Sequence, residues 1–205
     1  MFKTFLTIGA LTLGSIGFAS AATVENGSFE DGVFTLNGSG WGIGTLPGWA
    51  STTGGIEVQT QPTLGLTPYD GSRYIELDGI SNYTISQSVA LTIGNYLLSF
   101  AYSPRVEGGS VTNGIGFAIA SLSGSITGPD VMNGTSVGAW SYLSYAFSVA
   151  EEGSYLLSFS GVGTDESFGG LLDDVSISAV PLPAGGLLLL GALGGLAAMR
   201  RRKSI

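Results

Sequence analysis

Cysteine and histidine are both absent from this chain of 205 residues. Their absence excludes disulfides, thiol nucleophiles, imidazole bases and the common zinc-binding sets. The charged fraction is also low, at 11%, whereas glycine alone contributes 34 residues. Low charge combined with many small residues and scattered aromatics is typical of short strands joined by many turns. The length predicts one main domain.

Positive charge is scarce in the middle of the chain. Between the two ends there are only Arg73 and Arg105, whereas all 15 acidic residues lie from Glu25 to Asp174. This excess of negative charge excludes nucleic acid as a partner, because nucleic-acid binding needs a basic surface. It would instead attract divalent cations.

The N-terminal segment has the features of a signal peptide. One Lys is followed by an apolar run and then by "ASA" at residues 19–21, as at a signal-peptidase site. We therefore predict that residues 1–22 are removed by signal peptidase and that the rest is exported. The alternative is an uncleaved membrane anchor. Export of a chain without Cys is typical of bacterial secretion.

The C-terminal segment "VPLPAGGLLLLGALGGLAAMRRRKSI" joins a Pro-rich motif, a short apolar run and a basic end. As a helix, the apolar run would measure about 24 Å, slightly less than the ~30 Å hydrocarbon core of a bilayer. The basic end is expected to stay cytoplasmic, which agrees with an exported body. The alternative is a plain C-terminal anchor preceded by a Pro-rich hinge.

This segment, residues 180–205, resembles the VPLPA-type C-terminal sorting signal, a variant of the bacterial PEP-CTERM class. The resemblance implies recognition by an exosortase-type membrane transpeptidase, removal of the transmembrane helix and delivery of the body to the cell surface. The motif residues would be Val180, Pro181, Leu182, Pro183 and Ala184, and the cytoplasmic anchor would be Arg200, Arg201, Arg202 and Lys203.

The body, residues 23–179, alternates apolar and polar residues in segments such as "YLLSFAYS", "GIGFAIASL" and "SYLLSFSGV". Such alternation between turn residues predicts an all-β fold, an antiparallel β-sandwich of the jelly-roll kind. In "LLDDVSIS" the same alternation places Asp173 on the core-facing side with Leu171 and Val175. Two copies of "YLLSF", each preceded by a strand, predict two similar hairpins.

Two further segments, "VENGSFEDG" at residues 24–32 and "LLDDVSI" at residues 171–177, resemble the first and last strands of galactose-binding-like jelly rolls. Those domains include xylan- and glucan-binding modules. The resemblance implies a structural Ca²⁺ ion held by Glu30, Asp173 and carbonyl groups from Ser28 and the loop 70–73. Calcium prefers such oxygen ligands, and a buried carboxylate needs compensation. The alternative is that Asp173 accepts hydrogen bonds from backbone amides or from Arg73.

Sugar binding needs exposed aromatic rings beside polar side chains, because the CH face of a sugar stacks on a ring. The aromatic candidates are Trp41, Trp49, Tyr69, Tyr74 and Trp140. The alternative for each of them is core packing, and this alternative is strongest for Trp140, which opens a predicted strand.

Catalysis is not predicted. A glycosidase needs two carboxylates across a cleft, and Glu57, Glu76 and Asp78 could supply them, but any acidic chain offers such pairs. Serine nucleophiles would have neither a His nor a suitable Lys partner in the body.

The sequence therefore predicts an exported, non-enzymatic surface or extracellular-matrix protein. It would be anchored transiently in the inner membrane of a Gram-negative bacterium, processed by the exosortase and associated with exopolysaccharide or biofilm. The alternative is a carbohydrate-binding module with a defined glycan ligand, so that extracellular polysaccharide is the partner in either case.

Overall fold

The computed structural model describes residues 23–105, 113–128, 139–165 and 167–181. The expected signal peptide and the sorting segment from Leu182 onward lie outside the described residues, so both stay predictions. Of the expected sorting motif, Val180 and Pro181 alone are described. Within the described ranges, no helix is long and apolar enough to cross a membrane.

The regular secondary structure of the described residues consists of strands and one short helix. The elements are β1 (Val33–Phe34), β2 (Trp41–Thr45), β3 (Ala50–Ser51), β4 (Ile56–Gln59), α1 (Gln61–Leu64), β5 (Tyr74–Glu76), β6 (Thr84–Leu91), β7 (Gly94–Ser103), β8 (Gly114–Ile119), β9 (Leu122–Ile126), β10 (Ser141–Val149), β11 (Gly153–Val162) and β12 (Leu171–Ala179).

Two antiparallel sheets face each other. Sheet A has the order β1-β2-β4-β5-β12-β7-β10, and sheet B has the order β3-β6-β11-β8-β9. The predicted all-β antiparallel sandwich is therefore confirmed for this part of the chain. The first and last described strands do not pair with each other, since β12 lies between β5 and β7.

The core between the sheets follows the predicted alternation. Tyr96, Leu98 and Phe100 of β7 are fully buried in it. The ring of Phe100 meets that of Phe159 from β11 edge-on, with 5.1 Å between their centroids, and so joins the two sheets. Full burial of one such side chain is worth about 1.5–3 kcal/mol, so these strands supply much of the stability.

The predicted hairpins are wrong. The strands β6 and β7 are adjacent in the chain but belong to different sheets, and so do β10 and β11. Instead β7 pairs with β10 and β6 pairs with β11. The reason is that each strand has one apolar face: two such faces bury each other when the strands lie in opposite sheets, whereas a hairpin would leave them side by side.

A β-bulge in β12 interrupts the predicted alternation, so that the core-facing prediction is confirmed for Val175 and wrong for Leu171 and Asp173. The pairing of β12 with β7 shifts between Asp173 and Ser176, and Asp174 has a φ of 46°. As a result, Leu172 and Val175 face the core. Leu171 pairs with Ser103, and Asp173 pairs with Ala101, so both lie on the outer face of sheet A. Asp173 is buried as predicted, but on the opposite side of the sheet.

The register of sheet A aligns side chains in rows across its outer face, because directly paired residues share a face. One row runs from β2 to β7 and contains Ile43, Glu57, Glu76, Leu171 and Ser103. The next row begins with Trp41, Gln59 and Tyr74. Leu64 and Leu66 cover Tyr74 and Leu171, so the segment around α1 closes over the middle of this face.

Candidate functional site

Two carboxylates lie directly opposite each other on the outer face of sheet A. Glu57 of β4 pairs with Glu76 of β5, and both side chains are buried. Like charges placed directly opposite on neighbouring strands are destabilising. The pair therefore requires compensation from its surroundings.

That compensation is concentrated on Glu76. Nη1 of Arg105 lies 2.5 Å from both carboxylate oxygens of Glu76, and the backbone N–H of Gly169 donates to Oε1 of Glu76 over 2.7 Å. The side-chain amide of Gln59 links the two acids, because Nε2 donates to Oε1 of Glu57 over 2.8 Å and also to Oε2 of Glu76. Because both carboxylates accept from Nε2 of Gln59, this nitrogen must face them, which fixes the orientation of the side-chain amide.

Burial dominates the titration of the pair. It raises the pKa of Glu76 to about 7, although the charge of Arg105 and the hydrogen bonds to Arg105 and Gly169 lower it. Burial also raises the pKa of Glu57, opposed by the hydrogen bond from Gln59 and by Arg105. Asp78 adds a smaller upward contribution to the pKa of Glu57.

A cleft of about 310 Å³ opens beside this pair. Its lining combines aromatic and polar side chains, among them Ser39, Trp41, Glu57, Thr63, Arg105 and Phe168. A second cleft of about 220 Å³ shares Glu57 and Gly79 with the first and adds Ile43, Ile80 and Tyr83. Glu57 thus belongs to the lining of both clefts.

Several polar atoms near the clefts have no hydrogen-bond partner within the described part of the chain. These buried atoms are Oε1 of Gln59, Oγ1 of Thr63, the Tyr74 hydroxyl and Nε of Arg105. Buried polar groups are rarely left unpaired, and each exception needs an explanation such as water or a ligand. The arrangement can therefore accept and donate hydrogen bonds beside an apolar ring.

The three tryptophans differ in exposure. The side chain of Trp41 is 37% exposed and lines the larger cleft. Trp49 is only 7% exposed, packs on Phe29 with 5.6 Å between ring centroids, and donates from Nε1 to the carbonyl of Asn26. Trp49 is therefore a core residue, and its prediction as a sugar platform is corrected. Trp140 is half-buried, packs against the cluster of Leu66, Tyr74 and Leu171, and donates to the carbonyl of Thr67.

A second aromatic surface lies farther along the same face. Tyr69 is 44% exposed and stacks on Tyr142, which is 46% exposed, with ring centroids 5.4 Å apart and planes 11° apart. Tyr74 is fully buried beneath, edge-on to Trp140. Of the predicted ligand-binding aromatics, Trp41 and Tyr69 are thus accessible, whereas Tyr74 is covered by the segment around α1.

The carboxylates predicted to bind calcium both bind the loop before β5. Oε1 of Glu30 accepts from the amides of Ser72 and Arg73, at 2.7 and 2.9 Å, and Oε2 accepts from the Ser72 hydroxyl. Oδ2 of Asp173 accepts from the amides of Tyr69 and Asp70, and Oδ1 accepts from the amide of Asp174.

This loop fits closely against its carboxylates. Gly71, at its centre, has a φ of 61°, and a Cβ there would collide with the Glu30 carboxylate. Ser28 lies in the turn closed by a hydrogen bond from the Phe29 amide to the Asn26 carbonyl. Burial raises the pKa of Asp173 to about 7, although its backbone hydrogen bonds lower it.

The contacts of Asp173 agree with the alternative to calcium binding, in which this carboxylate accepts hydrogen bonds from backbone amides. Every carboxylate oxygen of Glu30 and Asp173 faces an N–H or O–H donor, which would have to turn away before a cation could bind. Across the described ranges, no group of three or more acidic side chains is arranged to hold a metal. The residues as placed do not form a calcium shell, and calcium binding stays a prediction.

Two side chains that connect the site, Arg105 and Gln59, were not predicted from the sequence. Arg105 follows the end of β7, and Gln59 ends β4, without any recognisable motif around them. A weaker signal exists: in "IEVQ" and "YIELDG" the polar residues alternate with core residues, so that Glu57, Gln59 and Glu76 must share the face opposite the core. Without the pairing register, these residues could not be placed side by side.

No family model matches the chain, and no curated protein matches it either. Solved structures do. The carbohydrate-binding module TmCBM61, solved in complex with β-1,4-galactotriose, has a TM-score of 0.50 and 19% identity, over 78% of this chain and 100% of that one. The CBM22-1 xylan-binding domain from Paenibacillus barcinonensis has a TM-score of 0.43 and 17% identity, over 83% and 99%. A family 35 carbohydrate-binding module from Clostridium thermocellum has a TM-score of 0.42 and 14% identity, over 78% and 100%.

The chain shares a jelly-roll fold with TmCBM61. At 19% identity this likeness concerns the fold, whose sequence-based prediction it confirms. It also corrects the main functional interpretation of the sequence, that of an exosortase-processed matrix protein in biofilm. TmCBM61 is a carbohydrate-binding module, so this match favours the alternative stated with it.

Proposed function

We propose that the jelly roll is a carbohydrate-binding module that holds its glycan in the cleft beside Trp41. The observation that carries this proposal is the position of an exposed indole next to fixed polar groups in one concave surface. Trp41 lies beside Gln59 in the register of β2 and β4, and the cleft also includes Glu57, Thr63 and Arg105.

The chemistry of the cleft suits a sugar. A pyranose ring has an apolar CH face, which stacks on an aromatic ring, and a rim of hydroxyl groups, which need donors and acceptors. Trp41 offers the ring. The unpaired Oγ1 of Thr63 and Nε of Arg105 belong to residues of the same cleft and are groups with which sugar hydroxyls could pair.

Binding without catalysis is the form of the proposal that the acid pair supports. Glu76 is fully buried, and both its oxygens already accept from Arg105, Gln59 or Gly169. A glycosidase needs two carboxyl groups that reach the glycosidic bond from opposite sides. Glu76 instead serves to hold Arg105 and Gln59 in position.

The test is a binding screen with matched variants. The full-length protein, in a detergent without sugar groups, is applied to an array of neutral plant and microbial polysaccharides. Trp41→Ala should lose retention on whichever polysaccharide binds. Leu156→Ala removes a side chain that is 63% exposed on sheet B, and it should bind like the parent. Equal binding by the parent and Trp41→Ala would contradict the proposed site.

A further inference from the structure

We infer that this cleft selects neutral glycans over uronic acid polymers, and that Glu57 sets the selection. The inference rests on the proposed function and adds the class of ligand. It follows from the distribution of charge and of open hydrogen-bond acceptors around the Glu57 carboxylate.

The positive charge at the site is already neutralised. Nη1 of Arg105 is bound to both oxygens of Glu76, and its guanidinium carbon lies 4.6 Å from the centroid of the Phe168 ring. Glu57 is the second carboxylate of the pair, and Asp78 acts on it as a further negative charge. Because Glu76 neutralises Arg105, ionisation of Glu57 leaves a net negative charge facing the ligand.

Glu57 also presents an open acceptor. Its side chain is 6% exposed and belongs to the lining of both clefts. Oε1 accepts from Gln59, whereas Oε2 accepts no hydrogen bond from the described residues. Oε1 of Gln59 is a second acceptor without a donor in the described chain. The ligand group that fits beside Glu57 is therefore a donor, such as a sugar hydroxyl.

Glu57 has little freedom to turn away from an unfavourable ligand. Its backbone is held by the hydrogen bond from its N–H to the Tyr83 hydroxyl, over 3.1 Å. Its side chain is held by the hydrogen bond that Oε1 accepts from Gln59. On the other side Gly79 fits so closely that a Cβ there would lie 2.8 Å from Cβ of Glu57. Once Glu57 is ionised, a carboxylate on the ligand would thus meet a fixed, partly desolvated negative charge, where repulsion is much stronger than in water. Because burial raises the pKa of Glu57, the comparison is made at alkaline pH.

The experiment compares sugars that differ only at C6. Hexasaccharides of β-1,4-galactan, β-1,4-glucan and β-1,4-mannan are each tested beside their C6-oxidised uronate form, against the full-length protein at pH 8. The neutral form should bind at least about tenfold more tightly than the uronate form. In Glu57→Gln, which removes the charge but keeps an acceptor for Gln59, that ratio should shrink to about threefold or less. Glu151→Gln, the same change at an exposed position in the turn before β11, should keep the parent ratio.

The outcomes separate the two proposals. If both forms bind equally, or the uronate form binds better, glycan binding stands and the charge selection is refuted. If the parent discriminates and Glu57→Gln discriminates equally, the assignment to Glu57 is refuted. If neither form of any sugar binds, and no neutral polysaccharide of the array is retained, the proposed function fails and this inference fails with it.

Discussion

A methyl group added at Gly79 should displace Glu57. The new Cβ would lie 2.8 Å from Cβ and 3.0 Å from Cδ of Glu57, and closer still to its Oε2. Glu57 cannot yield alone, because Gln59 links it to Glu76. Overpacking of a fixed site typically costs about 1–3 kcal/mol. We therefore expect Gly79→Ala to lower the free energy of unfolding by about that amount in urea denaturation, with an unchanged slope.

Two comparisons make this prediction specific. Gly38→Ala is the matched control, because a Cβ at Gly38 would meet nothing within 4 Å, and it should change the free energy of unfolding by less than about 0.5 kcal/mol. In a Glu57→Ala background, Gly79→Ala should cost at least about 1 kcal/mol less, since most of the clashing atoms are gone. A Gly79→Ala variant as stable as the parent, or additive losses in the double variant, would refute the placement of Glu57 against Gly79.

Three further predictions concern other groups. Because the folded-state pKa of Glu76 is raised from 4.5 to about 7, the folded state binds more protons than the unfolded state in that pH interval. The free energy of unfolding should therefore fall as the pH rises from about 4.5 to 7. Glu76→Gln should reduce this dependence of the free energy of unfolding on pH. If calcium binds, EDTA should lower the melting temperature by several degrees, and Glu30→Gln or Asp173→Asn should abolish that shift. A melting temperature that does not depend on EDTA would mean that Glu30 and Asp173 serve to bind the loop before β5. Tyr142→Ala should leave the affinity for a disaccharide unchanged, and a loss equal to that of Trp41→Ala would move the site to the second aromatic surface.

The face that each strand turns to the core was predictable from the sequence, but its partners were not. Period-two alternation placed Tyr96, Leu98 and Phe100 correctly, because burial of one face fixes the parity of a strand. The same pattern does not indicate which strand pairs with which, so the hairpins were predicted wrongly. At Asp174 a bulge changes the parity itself, and it left no signal in the apolar pattern of β12.

The candidate site could be predicted only in pieces. Trp41 was among the aromatic candidates. Glu57, Glu76 and Asp78 were named as carboxylates that any acidic chain offers, and the direct pairing of Glu57 with Glu76 across β4 and β5 was not predicted. Their compensation by Arg105 depends on where β7 ends beside β12, which is a long-range property of the fold. Trp49 shows the converse: its Gly-rich surroundings suggest exposure, whereas contacts with Phe29 and the Asn26 carbonyl bury it.

Tryptophan fluorescence during titration with a neutral polysaccharide tests the central claim most directly. Trp49 is buried and Trp140 is packed against Tyr74, so that Trp41, at 37% exposure, is the indole that a glycan in the cleft would cover. The account predicts a saturable blue shift and protection from acrylamide quenching in the parent, both absent from Trp41→Phe. No spectral change with any neutral polysaccharide that the protein binds, or the same change in Trp41→Phe, would contradict it.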